Sequence, residues 1–473
     1  MWTDDFSSAK WRRLGFKEPG WPPTRWLFAE AAESAVRLAG VTQTVETSGS
    51  KTPRIVDPRR WLGTLGPGLI TGAADDDPSG IGTYSQAGAQ LGYGIGWTMV
   101  LTFPLMATIQ EISARIGRVT GHGIGGNICR HYPAWLLYLI VALLFVANTI
   151  NIGADLAAMA DASKLLVGGP AFAYVIMYGL ISVLAQIFFD YKRYVAVLKW
   201  LTLSLFAYVA ALAVTNVDWA QAFKGAALPR LEWSAAYWTT VVAILGTTIS
   251  PYLFFWQASQ EAEDERIDPD KEPLIDTPNE AVNEFGRIRA DTVVGMGFST
   301  IIALAIIVTA AATLHASGKT DIETSAQAAE ALRPIAGAFA EFVFALGIVG
   351  TGLLAVPVLA GSAAYAIGEG RGWPIGLARK PKEARAFYAV LALSTLIGVV
   401  LNFSPINPIS ALYWSAVVNG ILAVPVMVLL MLMVRRPDVM DRFVVDGPLH
   451  WLGWLATGVM AISIAGMAAS YAM

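Results

Sequence analysis

Charge is scarce in this chain. Only 15% of its 473 residues are Asp, Glu, Lys or Arg, against about a quarter in ordinary soluble domains. That shortage excludes a string of water-soluble domains. Cysteine is nearly absent: Cys129 stands alone, which excludes a disulfide framework and any cysteine-built metal cage. The four histidines, His122, His131, His315 and His450, show no His-x-x-x-His spacing, which argues against a zinc hydrolase. Net charge is also small. Lys and Arg number 33 against 36 Asp and Glu, leaving −3, so there is no basic surplus for a nucleic-acid partner. No nucleophile–base pair, no Gly-rich phosphate loop after a strand and no histidine cluster is visible, so the chain does not read as an enzyme. No apolar core follows the early charges in the manner of a signal peptide.

Apolar residues are abundant. They make up 55% of the sequence, and the mean hydropathy is +0.52. About 20 consecutive apolar residues cross a bilayer as one helix, so the expected class is an all-α polytopic membrane protein. Residues 1–60 differ from the rest, holding ten of the basic residues and no apolar run long enough to span. They read as a cytoplasmic tail, with Trp26 to Leu38 either a short surface-lying amphipathic helix or part of a disordered tail. The remainder, 61–473, divides into eleven spans. They fall at roughly 62–90, 94–116, 134–158, 171–189, 194–214, 234–259, 291–314, 335–366, 386–403, 409–433 and 449–471. The stretch 260–290, with its run DPDKEPLIDTPNE, reads as a long solvated loop. With the N-terminus inside, 28 of the 33 basic residues fall on the cytoplasmic side and five outside. That asymmetry is what the positive-inside rule requires, and it places the C-terminus outside.

Two spans carry breaks. The first contains Asp75, Asp76 and Asp77, followed by Pro78, Ser79 and Gly80. Proline removes a backbone donor and glycine weakens a helix, so the helix is expected to stop there. Acids in a loop at the mouth of the span would be the bland alternative. Apolar sequence continues on both sides, however, and intramembrane acids mark ion paths by default. The sixth span contains Gly246-Thr247-Thr248-Ile249-Ser250-Pro251. Taken alone, a proline kink without function is the bland alternative. The two breaks occupy matching places in two five-span halves, 62–214 and 234–433, and such pairing is the mark of an inverted-repeat transporter with a midplane site. The span 449–471 is extra to that scheme.

From Gly66 to Pro133 the chain resembles the Nramp divalent-metal transporters. GPG, DP, QAGAQ-GY and SAR-G-VTG stand in that family's order and spacing. The resemblance implies a LeuT-type 5+5 inverted repeat with discontinuous helices one and six. It further implies a secondary transporter in a bacterial inner membrane that carries transition-metal ions such as Mn²⁺ or Fe²⁺, usually with protons. Divalent ions would be substrates, with no cofactor and no obligatory protein partner beyond the lipid bilayer. Carried onto this sequence, the metal site comprises Asp77, Gly80, Thr247 and Ser250, with Asp76 and Asn419 as additional candidates.

The departures from the family pattern share one direction. Gly80 stands in place of the metal-binding Asn, Ser250 of the Met and Tyr252 of a His, while Gln257 replaces a second His and Ala158 the Glu of the proton route. Asp155 remains. Loss of a soft thioether favours hard ions such as Mg²⁺ or Mn²⁺, and the smaller residues would leave room for water, which Mg²⁺ sheds reluctantly. The pattern is similar to the Nramp-related magnesium branch. Two alternatives stay open: a proton-coupled Mn²⁺/Fe²⁺ symporter of the usual kind, and an amino-acid or organic-cation transporter on the same fold. Glu111 reads as an i,i+4 partner of Arg115 or as a bundle-interior acid. Asn419 reads equally as cavity-facing or as a helix–helix hydrogen bonder. Asn148 and Asn151 read as packing groups. Cys129, His122 and His131 carry no expected chemistry, and Trp97, Trp135, Trp451 and Trp454 read as interface anchors.

Overall fold

The computed structural model describes residues 67–188, 203–268, 271–404 and 407–473. The expected tail, 1–60, lies outside them, as do residues 62–66 of span one and 194–202 of span five. Every regular element among the described residues is helical. The first span is two helices, α1 (Pro67–Asp75) and α2 (Pro78–Leu91). It is followed by α3 (Trp97–Thr120), the short α4 (Ile124–His131), α5 (Ala134–Val167) and α6 (Ala171–Phe188). Then come α7 (Phe206–Val214) and α8 (Trp219–Ala227), the broken pair α9 (Ala235–Thr248) and α10 (Pro251–Ile267), and α11 (Ala281–Thr313). The chain closes with α12 (Ala340–Arg371), α13 (Arg385–Leu401), α14 (Pro408–Met433) and α15 (Gly447–Ala472).

Seven helical stretches among the described residues are long and apolar enough to cross a membrane. The other four expected spans fall short for identifiable reasons. Span one is interrupted by its acids. Span two qualifies only together with the neighbouring segment Pro78–Ile95, from which it turns by 109°. Span five begins outside the described residues. Span nine, α13, has 17 residues.

Among the described residues the connections meet in two sets, an arrangement compatible with eleven crossings. At one end Gln86 bonds Thr320 and Asp321, Asp161 bonds Ser325, Asn407 bonds Glu323, and Tyr93 meets Asp218. At the other end Gly123 and Gly126 bond Glu369, Arg436 bonds the His131 carbonyl, and Arg118 reaches into 265–284. This second end differs from the expected solvated loop at 260–290. Helix α10 runs on to Ile267, and α11 starts ten residues earlier than hydropathy suggests. Glu261, Glu263 and Glu265 are all buried. Each has its own partner: Glu263 accepts from the Tyr365 hydroxyl and, at 2.8 Å, from the Ala378 N–H, and Arg118 holds Glu265. Its almost fully buried guanidinium pairs with Glu265 at 2.9 Å, Glu284 at 3.1 Å and Glu280 at 3.4 Å, and donates to the Glu272 carbonyl at 2.6 Å. Arg287 pairs with Glu261 at 2.5 Å. A hydropathy scale counts these residues as charges and cannot register the ion pairs and hydrogen bonds that let them be buried.

Both breaks are held inside protein. The apolar window of the α9–α10 pair is wholly buried, whereas that of α15 is one-third buried. Unwound backbone at membrane depth needs that cover. Small residues let the flanking helices close in. A Cβ added at Gly246 would lie 2.1 Å from the Ala416 carbonyl of α14. One at Gly72 would lie 2.3 Å from the Gly295 carbonyl of α11.

Candidate functional site

The first break consists of Asp76 and Asp77, between the end of α1 and Pro78, the first residue of α2. Proline suits that first position because its missing N–H would be unsatisfied there anyway. Asp77 is the cap: its backbone is extended (φ −68°, ψ 170°) and its Oδ1 accepts from the Gly80 N–H at 2.7 Å. The second break is equally short. Ile249 ends α9, Ser250 is the cap of α10, and Pro251 opens it. The breaks face each other across Gly80, whose absent Cβ would lie 3.4 Å from Thr247 Oγ1 and 3.2 Å from the Asp75 carbonyl oxygen.

A third helix joins them. Asn151 of α5 donates to Asp77 Oδ2 at 3.2 Å, and Tyr252 of α10 lies 3.3 Å from the same oxygen and 3.2 Å from the Ala74 carbonyl. The phenol has one proton, so it can serve only one of the two at a time. Asp155, one turn beyond Asn151, is fully buried. Among the described residues, neither of its carboxylate oxygens has a hydrogen bond of good geometry, although the Ser79 backbone amide lies beside it. Asn151 Oδ1 and Asp75 Oδ1 are also buried without a partner among the described residues. On the α11 side, the Ser299 hydroxyl lies 2.5 Å from Asp75 Oδ2 and 3.0 Å from Asp76 Oδ1. No basic side chain forms an ion pair with these acids among the described residues. Nor do three His, Cys, Asp or Glu side chains gather as a metal-holding group there. A cation in this place would therefore take a mixed set of carboxylate, amide, hydroxyl and carbonyl oxygens, completed by water.

The expected residues are placed unequally. Asp77, Gly80 and Thr247 meet at the breaks. Asp76 turns to Ser299. Ser250 is buried, but its hydroxyl bonds back to the Gly246 and Thr247 carbonyls at 2.7 and 2.8 Å. Asn419 is buried on α14 beside Gly420, and no hydrogen bond joins it to Asp77. The room for water expected over Gly80 is not at its Cβ position, because Tyr84 Cε2 and the Asp75 carbonyl would each be 3.2 Å away. Asn148 bonds the Leu359 carbonyl and Ser362 of α12, a packing contact as expected. Asn151 is not a packing group, since its amide serves Asp77. Glu111 pairs with Arg115 at 2.5 Å. Gln257 accepts from Thr71 at 2.5 Å, and Gln110 donates to the Leu253 carbonyl at 2.9 Å. Asn151 and Asp155 could have been read as a pair, for polar residues four apart share a helix face. Ser299 gave no signal, being one of five hydroxyl residues along α11.

The family model described as Natural resistance-associated macrophage protein-like matches residues 68–470. The chain belongs to the Nramp family. A "Divalent metal cation transporter MntH" of Deinococcus radiodurans is 26% identical over 428 residues, covering 88% of this chain and 91% of that protein. A protein of the same name from Acidiphilium cryptum (strain JF-5) is 26% identical over 407 residues, covering 82% and 87%. Among solved structures, the Eremococcus coleocola manganese transporter, crystallised with an aromatic bis-isothiourea substituted compound, superposes with a TM-score of 0.69 at 15% identity, covering 92% and 91%. MhsT in complex with L-phenylalanine superposes with a TM-score of 0.56 at 13% identity, covering 85% and 98%. These similarities give the fold, the all-helical Nramp and LeuT-type arrangement with interrupted first and sixth spans. The family is one of transporters, not enzymes.

Proposed function

We propose that this Nramp protein imports divalent metal ions, Mn²⁺ or Mg²⁺ and secondarily Fe²⁺, across a bacterial inner membrane by alternating access. In this reading residues 1–60 form a cytoplasmic tail, the N-terminus lies inside and the C-terminus outside. The halves 62–214 and 234–433 rock about a site between the breaks. One observation carries the proposal: the Asp77 carboxylate is buried in a helix break, answered only by neutral groups. A buried carboxylate without a counter-charge is costly, and a passing cation would offset that cost. The names borne by the relatives agree with this substrate class. We assign Asp77, Gly80 and Thr247 to the ion's path, with Asp76, Ser250 and Asn419 around it. Residues 73–80 and 246–252, which make up the breaks, include no Met or Cys, so their own donors are hard, which favours Mg²⁺ and Mn²⁺ over softer ions.

Proton coupling is weak or absent in this proposal. Tyr252 and Gln257 stand where the family carries histidines. Gln does not titrate, Gln257 is tied to Thr71, and Tyr ordinarily titrates near 10. Ala158 carries nothing. Membrane potential and the ion gradient would then drive uptake.

The test is uptake into proteoliposomes carrying a divalent-sensitive dye and an internal pH dye. The wild type should take up Mn²⁺ and Mg²⁺ saturably, without matching acidification. Asp77→Asn keeps a capping oxygen, so it should fold normally and transport nothing. Asp77→Ala should also lose transport and, with the cap gone, about 1 kcal/mol of stability. Near wild-type uptake in Asp77→Asn would remove the site assignment. Lumen acidification that tracks uptake would remove the uncoupled mechanism.

A further inference from the structure

Two cavities meet at the end of the molecule that carries Arg118, and the proposed metal path uses neither. The first, of 260 Å³, is an apolar groove between α5 and α12, walled by Leu137, Val141, Ala142, Phe145 and Ile367. The second, of 540 Å³, is bordered by Arg130, Arg266, Arg371 and Arg379, together with Trp373. Gly370 and Arg371 line both, so the groove opens onto the basic pocket. The Arg371 guanidinium stands over the Tyr138 ring, 5.5 Å from its centroid, at the join.

The pocket keeps its positive charge. Arg130, Arg371 and Arg379 form no ion pair among the described residues, and Arg266 donates to the Gly121 carbonyl at 3.1 Å. The pocket's carboxylate, Glu369, accepts the Gly123 and Gly126 N–H groups at 2.9 Å each and offsets one positive charge, that of Arg266, so four arginines against one carboxylate leave the lining net positive. Depth is marked independently. Trp135 and Tyr138, at the start of α5, are 65% and 54% exposed, and exposed Trp and Tyr sit at the headgroup level of a bilayer.

We propose that this is a binding site for an anionic phospholipid, with the phosphate in the arginine pocket and one acyl chain in the α5–α12 groove. Guanidinium groups bind phosphate oxygens through paired hydrogen bonds. Basic pockets between membrane helices at the cytoplasmic side are built for such headgroups. A zwitterionic lipid would fit the groove but bring its own cation into a pocket that already holds four. A soluble phosphate would fit the pocket but leave the groove unused. The site lies on the α5–α12 pair, and α5 also carries Asn151 and Asp155, so an occupied groove would brace a helix that lines the ion path.

The experiment uses the full chain in detergent and reads the thermal midpoint against added ligand. The probes are dioctanoyl phosphatidylglycerol, dioctanoyl phosphatidylcholine and glycerol 1-phosphate. Phosphatidylglycerol should raise the midpoint saturably, and the other two should need at least ten-fold more. The combined Arg130→Gln, Arg371→Gln and Arg379→Gln variant should weaken the phosphatidylglycerol response at least ten-fold. Ala142→Trp, which fills the groove without touching a charge, should weaken it as well. Equal responses to the two lipids, or variants that respond like the wild type, would overturn the proposal. A glycerol 1-phosphate response equal to that of phosphatidylglycerol would overturn it too, by making this a soluble-anion site. Should the triple variant prove unstable without lipid, the headgroup comparison on the wild type and the Ala142→Trp variant decide the matter.

Discussion

Ser250 shows how one substitution can redirect a site. Its hydroxyl bonds to the carbonyls of Gly246 and Thr247, covering oxygens that the break would otherwise leave open. A methionine there would remove those bonds, free two carbonyl oxygens and bring a thioether to the break. Thioether selects soft ions, and oxygen-only sites select hard ones. Ser250→Met is therefore expected to raise the affinity for Cd²⁺ relative to Mg²⁺ several-fold, measured by competition in the uptake assay. An unchanged ratio would mean that the ion does not pass beside residue 250. Adding Gly80→Asn is a poorer test than the family pattern suggests, because the Asp75 carbonyl and the Tyr84 ring crowd the position where its Cβ would go. The acidic break itself was legible, since three adjacent Asp before Pro in an apolar span cost too much to bury for packing alone. The service that Asn151 gives to Asp77 was not, because an asparagine that packs and one that holds a carboxylate look alike in sequence.

Broken helices were readable at the level of the element, and their lengths less so. Proline at the first position of α2, α10 and α14, each after a Ser, Asp or Asn, is a start signal that sequence carries openly. What holds the breaks in place is tertiary. Gly246 of α9 meets Ala416 and Gly420 of α14 backbone to backbone. Close approach of small residues is what joins membrane helices where lipid offers no hydrophobic drive. Gly246→Val should force these helices apart and cost about 3 kcal/mol, seen as a lower thermal midpoint in detergent. Gly286, with open space at its Cβ position, should accept Ala with no loss. A Gly246→Val midpoint equal to wild type would show that the α9–α14 contact does not hold the second break. The early start of α11 and the long α10 escaped the hydropathy reading for a related reason. The Arg118 and Arg287 ion pairs stabilise helix where single-residue scales see only charge.

For the molecule as a whole, the sorting of its described connections into two ends is compatible with eleven crossings, and the basic residues supply the expected direction. The end that joins Arg118 to 265–284 and Glu369 to Gly123 contains the segments expected to be cytoplasmic. The opposite end joins Gln86 to 320–321 and Asn407 to Glu323, segments poor in Lys and Arg. Contacts alone leave the direction unassigned, because inverting the whole protein preserves every one of them. The lone thiol can assign it. Cys129 is free and exposed, it sits on α4 at the basic end, and no second cysteine competes. With the N-terminus inside, a membrane-impermeant maleimide should leave Cys129 unmodified in intact cells and label it in inverted vesicles. In a Cys129→Ser background, Gly318→Cys should behave in the opposite way. Gly318 lies in the 315–318 turn with open space around it and φ +80°, so the new side chain would be strained but accessible. Labelling of Cys129 from outside intact cells would invert the topology and, with it, turn the proposed importer to face the other way.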